Sequence, residues 1–302
     1  METRDYSPEL LCAVTALYNE ATEFVPNCWP VGEGEFAGAV AGVLGGKSDG
    51  GPEGVEEEQL VVAVDGGEVL GFVHFGRYRG DEDDEVGAIC FICYRRGRRD
   101  VGQALVRGAE RWFTAKGFAA VVAFQQRHRY RFYGFAHTYL SDRLDHVGAL
   151  LQFNGYEKSG GEVFLNGMGY AAAGLPELEL EFDEAWEWPR KRGTRPGCHL
   201  KAMQGDKLLG ECVVYCAGDF STNAEAQDYG FVNWLGVTEG YQGGGLGKWL
   251  LLRTRNEMLE RGYRHTAIST AVSNHRAFLF YSNYGYRVVD WTYGLSKSLL
   301  ED

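Results

Sequence analysis

Glu239-Gly240-Tyr241-Gln242-Gly243-Gly244-Gly245-Leu246-Gly247-Lys248 lies between an apolar run with strand composition, Tyr229 to Val237, and a run with helix composition, Leu246 to Arg261. A glycine-rich turn at such a junction leaves backbone N–H groups uncovered at the positive end of a helix. That is a seat for a phosphate or pyrophosphate. Two common phosphate motifs fail on spacing. A P-loop needs Gly-Lys followed by Ser or Thr, because the hydroxyl holds magnesium; here Lys248 is followed by Trp249. A dinucleotide fingerprint needs a third glycine for close helix–strand packing; after Gly245 and Gly247 come Lys248, Trp249 and Leu250.

The pattern that fits is Gln/Arg-x-x-Gly-x-Gly/Ala, read as Gln242-Gly243-Gly244-Gly245-Leu246-Gly247. It resembles the pyrophosphate loop of the GCN5-related N-acetyltransferases, the GNAT family, which bind acetyl-coenzyme A. The other reading of the loop alone is an ordinary glycine-rich turn. A second segment strengthens the resemblance. A strand-like run, His265 to Val272, leads into Asn274-His275-Arg276-Ala277-Phe278-Leu279-Phe280-Tyr281, with Gly285-Tyr286 beyond. This is similar to the family's Asn-x-x-Ala-x-x-x-Tyr-x-x-x-Gly-aromatic segment. A helix starting near Asn274 sets Ala277, Phe278 and Tyr281 on one face, where a neutral phenol could protonate a departing thiolate. The plainer reading is a core tyrosine in an amphipathic helix.

The chain has 302 residues, more than one domain usually holds, and its 45% hydrophobic content suffices for two cores. An imperfect internal repeat is present. Arg99-Asp100-Val101-Gly102-Gln103-Ala104 satisfies the same loop pattern after the apolar run Val86 to Tyr94, and Gly155-Tyr156 parallels Gly285-Tyr286. The expected fold is α/β with a mixed sheet: two tandem GNAT-like domains, 1–170 and 174–302, each a mostly antiparallel sheet flanked by helices.

In the N-terminal unit a strand is expected over Glu2 to Tyr6 and helices over Pro8 to Ala21 and Gly34 to Leu44. Lys47 to Glu58 reads as a glycine- and acid-rich loop, and Asp81 to Glu85 as an acidic loop. Hairpins turn at Asp65-Gly66-Gly67 and at Gln204-Gly205-Asp206. Pro176, Pro189 and Pro196 leave no room for two helices before the second hairpin. The C-terminal unit therefore lacks its first two helices. In the family that region closes one side of the acceptor pocket. The missing wall is expected from the N-terminal unit, from a partner chain, or from Ala185-Trp186-Glu187-Trp188-Pro189-Arg190.

The net charge is −12. A field of that sign repels nucleic acid and favours cationic acceptors such as amines. Gln125 to Tyr133 mixes bases with aromatics and reads as a basic strand edge meeting an acidic loop or a phosphate. No apolar stretch reaches membrane-spanning length, and no signal peptide opens the chain, so the cytoplasm is the expected compartment. The seven cysteines suggest no disulfide framework. Cys90 and Cys93 fall on opposite faces of a strand, which argues against a shared metal; no metal is expected.

The resemblance implies an acetyl-CoA-dependent N-acetyltransferase acting on a small-molecule or peptide amine by direct attack through a tetrahedral intermediate. Its active centre lies in the C-terminal unit. The cofactor would be held by Leu235, Gly236, Val237, Gln242, Gly243, Gly244, Gly245, Leu246, Gly247, Lys248, Asn274, Ala277, Phe278 and Tyr281. Tyr281 is the implied general acid, with Asn274 beside it. No base stands out among Glu211, Asp228, Glu239 and a water chain. Arg99, Gly102, Gln103 and Ala104 form a second candidate cofactor site. The places of Tyr281 and Asn274 are held there by Leu151 and Leu144, which implies binding without chemistry. The longer spacing in that unit falls near Arg127 to Ser141, a segment placed to cover its own groove or to reach the other unit. Alternatives are a non-enzymatic acyl-CoA sensor, or another acyltransferase on this fold, such as one like mycothiol synthase. No membrane partner is expected, and an oligomer is left open.

Overall fold

The computed structural model describes residues 1–80 and 85–300. The expected acidic loop therefore lies outside the described residues, except for Glu85. The chain divides into two compact units: unit 1 holds Met1–Glu162 with Asp290–Asp302, and unit 2 holds Val163–Val289. A division in sequence order at 170/174 misses the second segment of unit 1.

Unit 1 runs β1 (Glu2–Asp5), α1 (Leu11–Thr22), α2 (Glu33–Ala39), β2 (Val55–Asp65), β3 (Glu68–Arg79) and β4 (Glu85–Tyr94). It continues through α3 (Arg99–Lys116), β5 (Ala120–Ala123), β6 (Leu140–Ser141), α4 (Asp145–Phe153) and β7 (Glu157–Gly167). β1 to β4 are antiparallel neighbours in order. β4 and β5 pair in parallel across the α3 crossover. The first expected loop is shorter than read from sequence, because β2 starts at Val55. Glutamates are poor strand formers, but Glu56 and Glu57 point outward, where Arg77 meets both and Lys116 lies 2.6 Å from Glu57.

The core of unit 1 is aromatic. Tyr18 of α1 packs on Phe91 at 5.2 Å, and Phe36 of α2 on Phe72 at 6.0 Å, so these helices cover one sheet face. α3 covers the other, with Phe113 5.4 Å from Phe75. The segment 127–141 contributes to the first layer: Tyr130 and Tyr133 lie 5.5 and 5.2 Å from Phe91 and are buried.

Unit 2 contains β8 (Asp183–Glu187), β9 (Cys198–Gln204), β10 (Lys207–Cys216), β11 (Tyr229–Val237), α5 (Leu246–Glu260), β12 (His265–Ala271) and α6 (His275–Asn283). The last strand, β13 (Arg287–Ser298), enters unit 1 from Asp290 onward. There Leu295 to Ser298 pair antiparallel with β5. Strands β8 to β11 form an antiparallel series, and β11 pairs in parallel with β12. Among the described residues no α-helix stands between β7 and β10, so the two helices expected to be missing have no counterpart. Among the described residues no helix is long and apolar enough to cross a membrane.

Both units carry a β-bulge in the strand before their first crossover helix. In β4 the extra residue is Cys90, between the pairs His74↔Phe91 and Phe75↔Ile89. In β11 it is Asn233, between Val213↔Trp234 and Val214↔Val232. The bulge at Cys90 breaks the alternation of β4, so the expected opposite faces do not follow: Cys90 and Cys93 are both buried and both near Tyr130, and all seven cysteines are free thiols.

Candidate active site

β11 and β12 pair only from Tyr229↔His265 to Val232↔Ile268, although both strands continue. Past the bulge at Asn233, the β12-facing edge of β11 is left without a strand partner. A groove of about 600 Å³ opens there. Leu235, Gly236 and Val237 line it from the strand, and Gln242, Gly243, Gly245, Gly247 and Lys248 from the loop and helix start. Asn274, Ala277 and Tyr281 close it from α6.

The loop is open, and no side chain fills it. Gly245 is the N-cap of α5 with φ 89°, and no side chain caps the helix. The first N–H groups of a helix have no intrahelical acceptor, and α5 starts among the residues that line the groove. Gly243 also has positive φ, and a Cβ at Gly243 or Gly244 would meet nothing within 4 Å. That space is free for a ligand. Gln242 Nε2 donates to the Val237 carbonyl at 3.0 Å and ties the loop to the strand.

Two of the expected loop residues take other places. Leu246 is 2% exposed, because it starts the apolar face of α5, and Gly244 does not line the groove. The lining stripe of α6 is also turned from the expected one. It runs Ala277, Phe280, Tyr281, Tyr284, spaced for one helix face. Phe278 lies about 100° away from Ala277 around the helix and does not line the groove. Counting the stripe from Asn274 caused the error, since Asn274 is the N-cap: its Oδ1 accepts from the Ala277 N–H at 3.1 Å. Tyr281 is buried, with its ring edge-on to Phe280 at 5.4 Å and Tyr286 at 6.0 Å. Trp234, Tyr241 and Arg276 also line the groove. They were not singled out, and adjacency to the motifs was the one signal available.

The second candidate cofactor site is built differently. Helix α3 already begins at Arg99, about one turn earlier in the motif than α5 begins in its own. Arg99 lies over the Phe153 ring at 4.4 Å, and Gln103 Nε2 donates to Asn154 Oδ1 at 2.6 Å. Gly102 is enclosed: a Cβ there would lie 2.6 Å from the Tyr94 ring and 2.7 Å from Leu150. Ala104 is half-buried within the helix. A shallow groove of about 370 Å³ remains beside Arg99, floored by Tyr94, His146 and Phe153.

The tryptophans expected to supply a wall lie on the α5 side of β8. Arg253 stacks over Trp186 at 4.9 Å and Arg261 over Trp188 at 3.3 Å, and the two indoles stack on each other. Among the described residues no group of three or more His, Cys, Asp or Glu is arranged to hold a metal.

Residues 170–286 match the family model described as the acetyltransferase (GNAT) family. No curated protein matches the chain in sequence. Among solved structures, a tandem GNAT protein of the clavulanic acid biosynthesis pathway superposes with TM-score 0.70 at 14% identity, covering 100% of this chain and 99% of its own. A GCN5-related N-acetyltransferase from Sphaerobacter thermophilus reaches TM-score 0.62 at 14% identity, covering 99% and 96%. A GCN5-related glucosamine N-acetyltransferase region of a fungal multi-domain GH3 β-N-acetylglucosaminidase reaches 0.67 at 15% identity, covering 98% of this chain and 38% of that one. At these identities the likeness is one of fold.

Proposed function

We propose that unit 2, in which residues 170–286 match the family model described as the acetyltransferase (GNAT) family, transfers the acetyl group of acetyl-CoA to an amine of a small molecule or peptide. One observation carries the reading: the open glycine cradle at the start of α5 and the Tyr281 phenol line the same groove.

Bound acetyl-CoA would supply the activated acyl group. The N–H groups at the start of α5 hold the pyrophosphate, with the Lys248 ammonium adding charge. The open edge of β11 over Leu235, Gly236 and Val237 presents N–H and C=O groups to the pantetheine arm, as an added strand would. One N–H of that edge donates to the thioester oxygen as negative charge develops on it. Asn274, facing the same arm, fixes the first turn of α6 and so the placement of Tyr281. Tyr281 donates its phenolic proton to the departing sulfur. A chain of net charge −12 favours an acceptor that arrives as a cation.

Calorimetry with acetyl-CoA, followed by CoA release across a panel of alkyl amines, amino sugars and peptide N-termini, tests this reading. Binding with amine-dependent release supports it. Binding without release for any amine would leave an acyl-CoA-binding protein, and no binding would remove the reading altogether.

A further inference from the structure

Taking the bulged residues Cys90 and Asn233 as a common fixed point, the two sheets correspond strand by strand. Phe72 then matches Glu211, Phe91 matches Trp234, Leu60 matches His199 and Val62 matches Lys201. In unit 1 these four side chains lie beneath α1 and α2, and none is more than 1% exposed. In unit 2 the two helices are missing and the same four positions are charged or amphipathic. Trp234 is 56% exposed, and the side chains of Lys201, Glu211 and His199 are 30%, 25% and 20% exposed.

Loss of the covering helices explains why this face turned polar. It does not explain the arrangement. Lys201 is taken by Glu187 at 2.5 Å. Glu211 is left to His199, whose Nε2 lies 2.6 Å from Glu211 Oε2, while His199 Nδ1 stands 4.0 Å from Glu187. The titratable groups facing Glu211 are thus His199, Lys201 and Glu187. On the other side Glu211 pairs in register with Gly236, which lines the cofactor groove. Gly236 itself puts no side chain between the carboxylate and the groove. The Trp234 indole lies against that glycine, since a Cβ there would be 2.9 Å from Nε1. Unit 1 has Cys93 at this position, buried in the core.

We propose that Glu211 is the proton acceptor for the amine substrate, that His199 is the residue positioning its carboxylate, and that Trp234 is the platform beneath the acceptor. This rests on the transferase reading of unit 2. The substrate enters as an ammonium and gives one proton to the Glu211 carboxylate. The freed nitrogen lone pair forms the N–C bond at the thioester carbonyl, and the C–S bond breaks. Sulfur takes the Tyr281 proton, and the phenolate recovers the second proton shed by nitrogen. Glu211 returns its proton to water, so each turnover yields the amide, CoA thiol and one released proton.

The experiment compares CoA release with two acceptors at pH 7. Hydroxylamine arrives largely unprotonated. The fastest alkyl amine, amino sugar or peptide of the panel arrives as an ammonium. Glu211→Gln should slow the ammonium acceptor by about 10²- to 10⁴-fold and leave hydroxylamine almost unchanged, with acetyl-CoA affinity and melting temperature retained. Glu211→Asp should keep more activity than Glu211→Gln. His199→Gln should slow the ammonium acceptor less than Glu211→Gln does, again sparing hydroxylamine. Equal loss for both acceptors, or no loss for either, overturns the assignment while leaving the transferase reading intact. A wild-type chain that binds acetyl-CoA but releases no CoA with any acceptor overturns the transferase reading, and this inference with it.

Discussion

Tyr94 and His146 clasp each other at both ends. Tyr94 Oη donates to the His146 carbonyl at 3.0 Å, and His146 Nε2 lies 3.1 Å from the Tyr94 carbonyl, with the rings 4.9 Å apart. Tyr94 stands where unit 2 has Val237, on the edge that frames the open groove. Strand β4 and helix α4 are therefore joined at the place where β11 and α6 stand apart.

One acetyl-CoA per chain is accordingly expected in a calorimetric titration. Gly102→Glu should leave that stoichiometry intact but lower the melting temperature, because the new side chain would be driven into Tyr94 and Leu150. Overpacking of this kind costs about 1–3 kcal/mol or more. A stoichiometry of two would show that unit 1 opens to ligand.

Gly247 and Gly245 separate ligand loss from fold loss. A Cβ at Gly247 would make ordinary contact, 3.5 Å from Val237, inside a regular helix. Gly247→Glu should therefore keep the melting temperature and abolish acetyl-CoA binding by steric block and like charge. Gly245 has φ 89°, and a Cβ there would lie 3.1 Å from Leu178. Gly245→Glu should lose binding and stability together. Full affinity in Gly247→Glu, measured by calorimetry, would contradict the loop assignment.

Tyr281→Phe retains the ring that packs on Phe280 and Tyr286 and removes only the hydroxyl. Turnover should fall by about 10²- to 10⁴-fold with acetyl-CoA affinity near that of wild type. Unchanged turnover across pH would reduce Tyr281 to a packing residue.

Asp290 sets a pH dependence in unit 1. Burial, together with the neighbouring Asp142, pushes its carboxyl from 3.8 up to about 8, against a hydrogen bond from Ser141 Oγ at 3.0 Å. The folded carboxyl keeps a proton that the unfolded chain releases. Folding thus takes up a proton between those two values, and stability falls as pH rises through that window, then levels off above it. Asp290→Asn replaces the acid by a neutral group of the same shape. It should raise the melting temperature at pH 8 relative to wild type and leave it little changed near pH 4. An equal offset at both pH values would count against this role.

Unit 2 was the more legible half. β11 and α5 begin at the residues where the apolar run and the helix pattern begin, because a glycine loop punctuates the junction. The open glycine loop was legible because glycine is the residue such a turn requires. Other features depend on contacts distant in sequence, which periodicity does not carry. The Gly102 motif looked intact, yet its fate was decided by Tyr94 and Leu150. The acidic start of β2 became a strand through Arg77 and Lys116. Glu211 could be picked out only as a nearby carboxylate, since register alone brings it opposite Gly236 and beside His199.

The pairing of Leu295 to Ser298 with Ala120 to Ala123 has a consequence for synthesis. On the ribosome β5 emerges long before its partner and waits with an unpaired edge while unit 2 is still being made. Closing so distant a contact is slow, and an open edge invites pairing with other chains. Final assembly of unit 1 therefore waits until unit 2 has been made. The nascent chain is at greatest risk of self-association after the short strand Ala120–Ala123 has left the tunnel and before the last strand follows it.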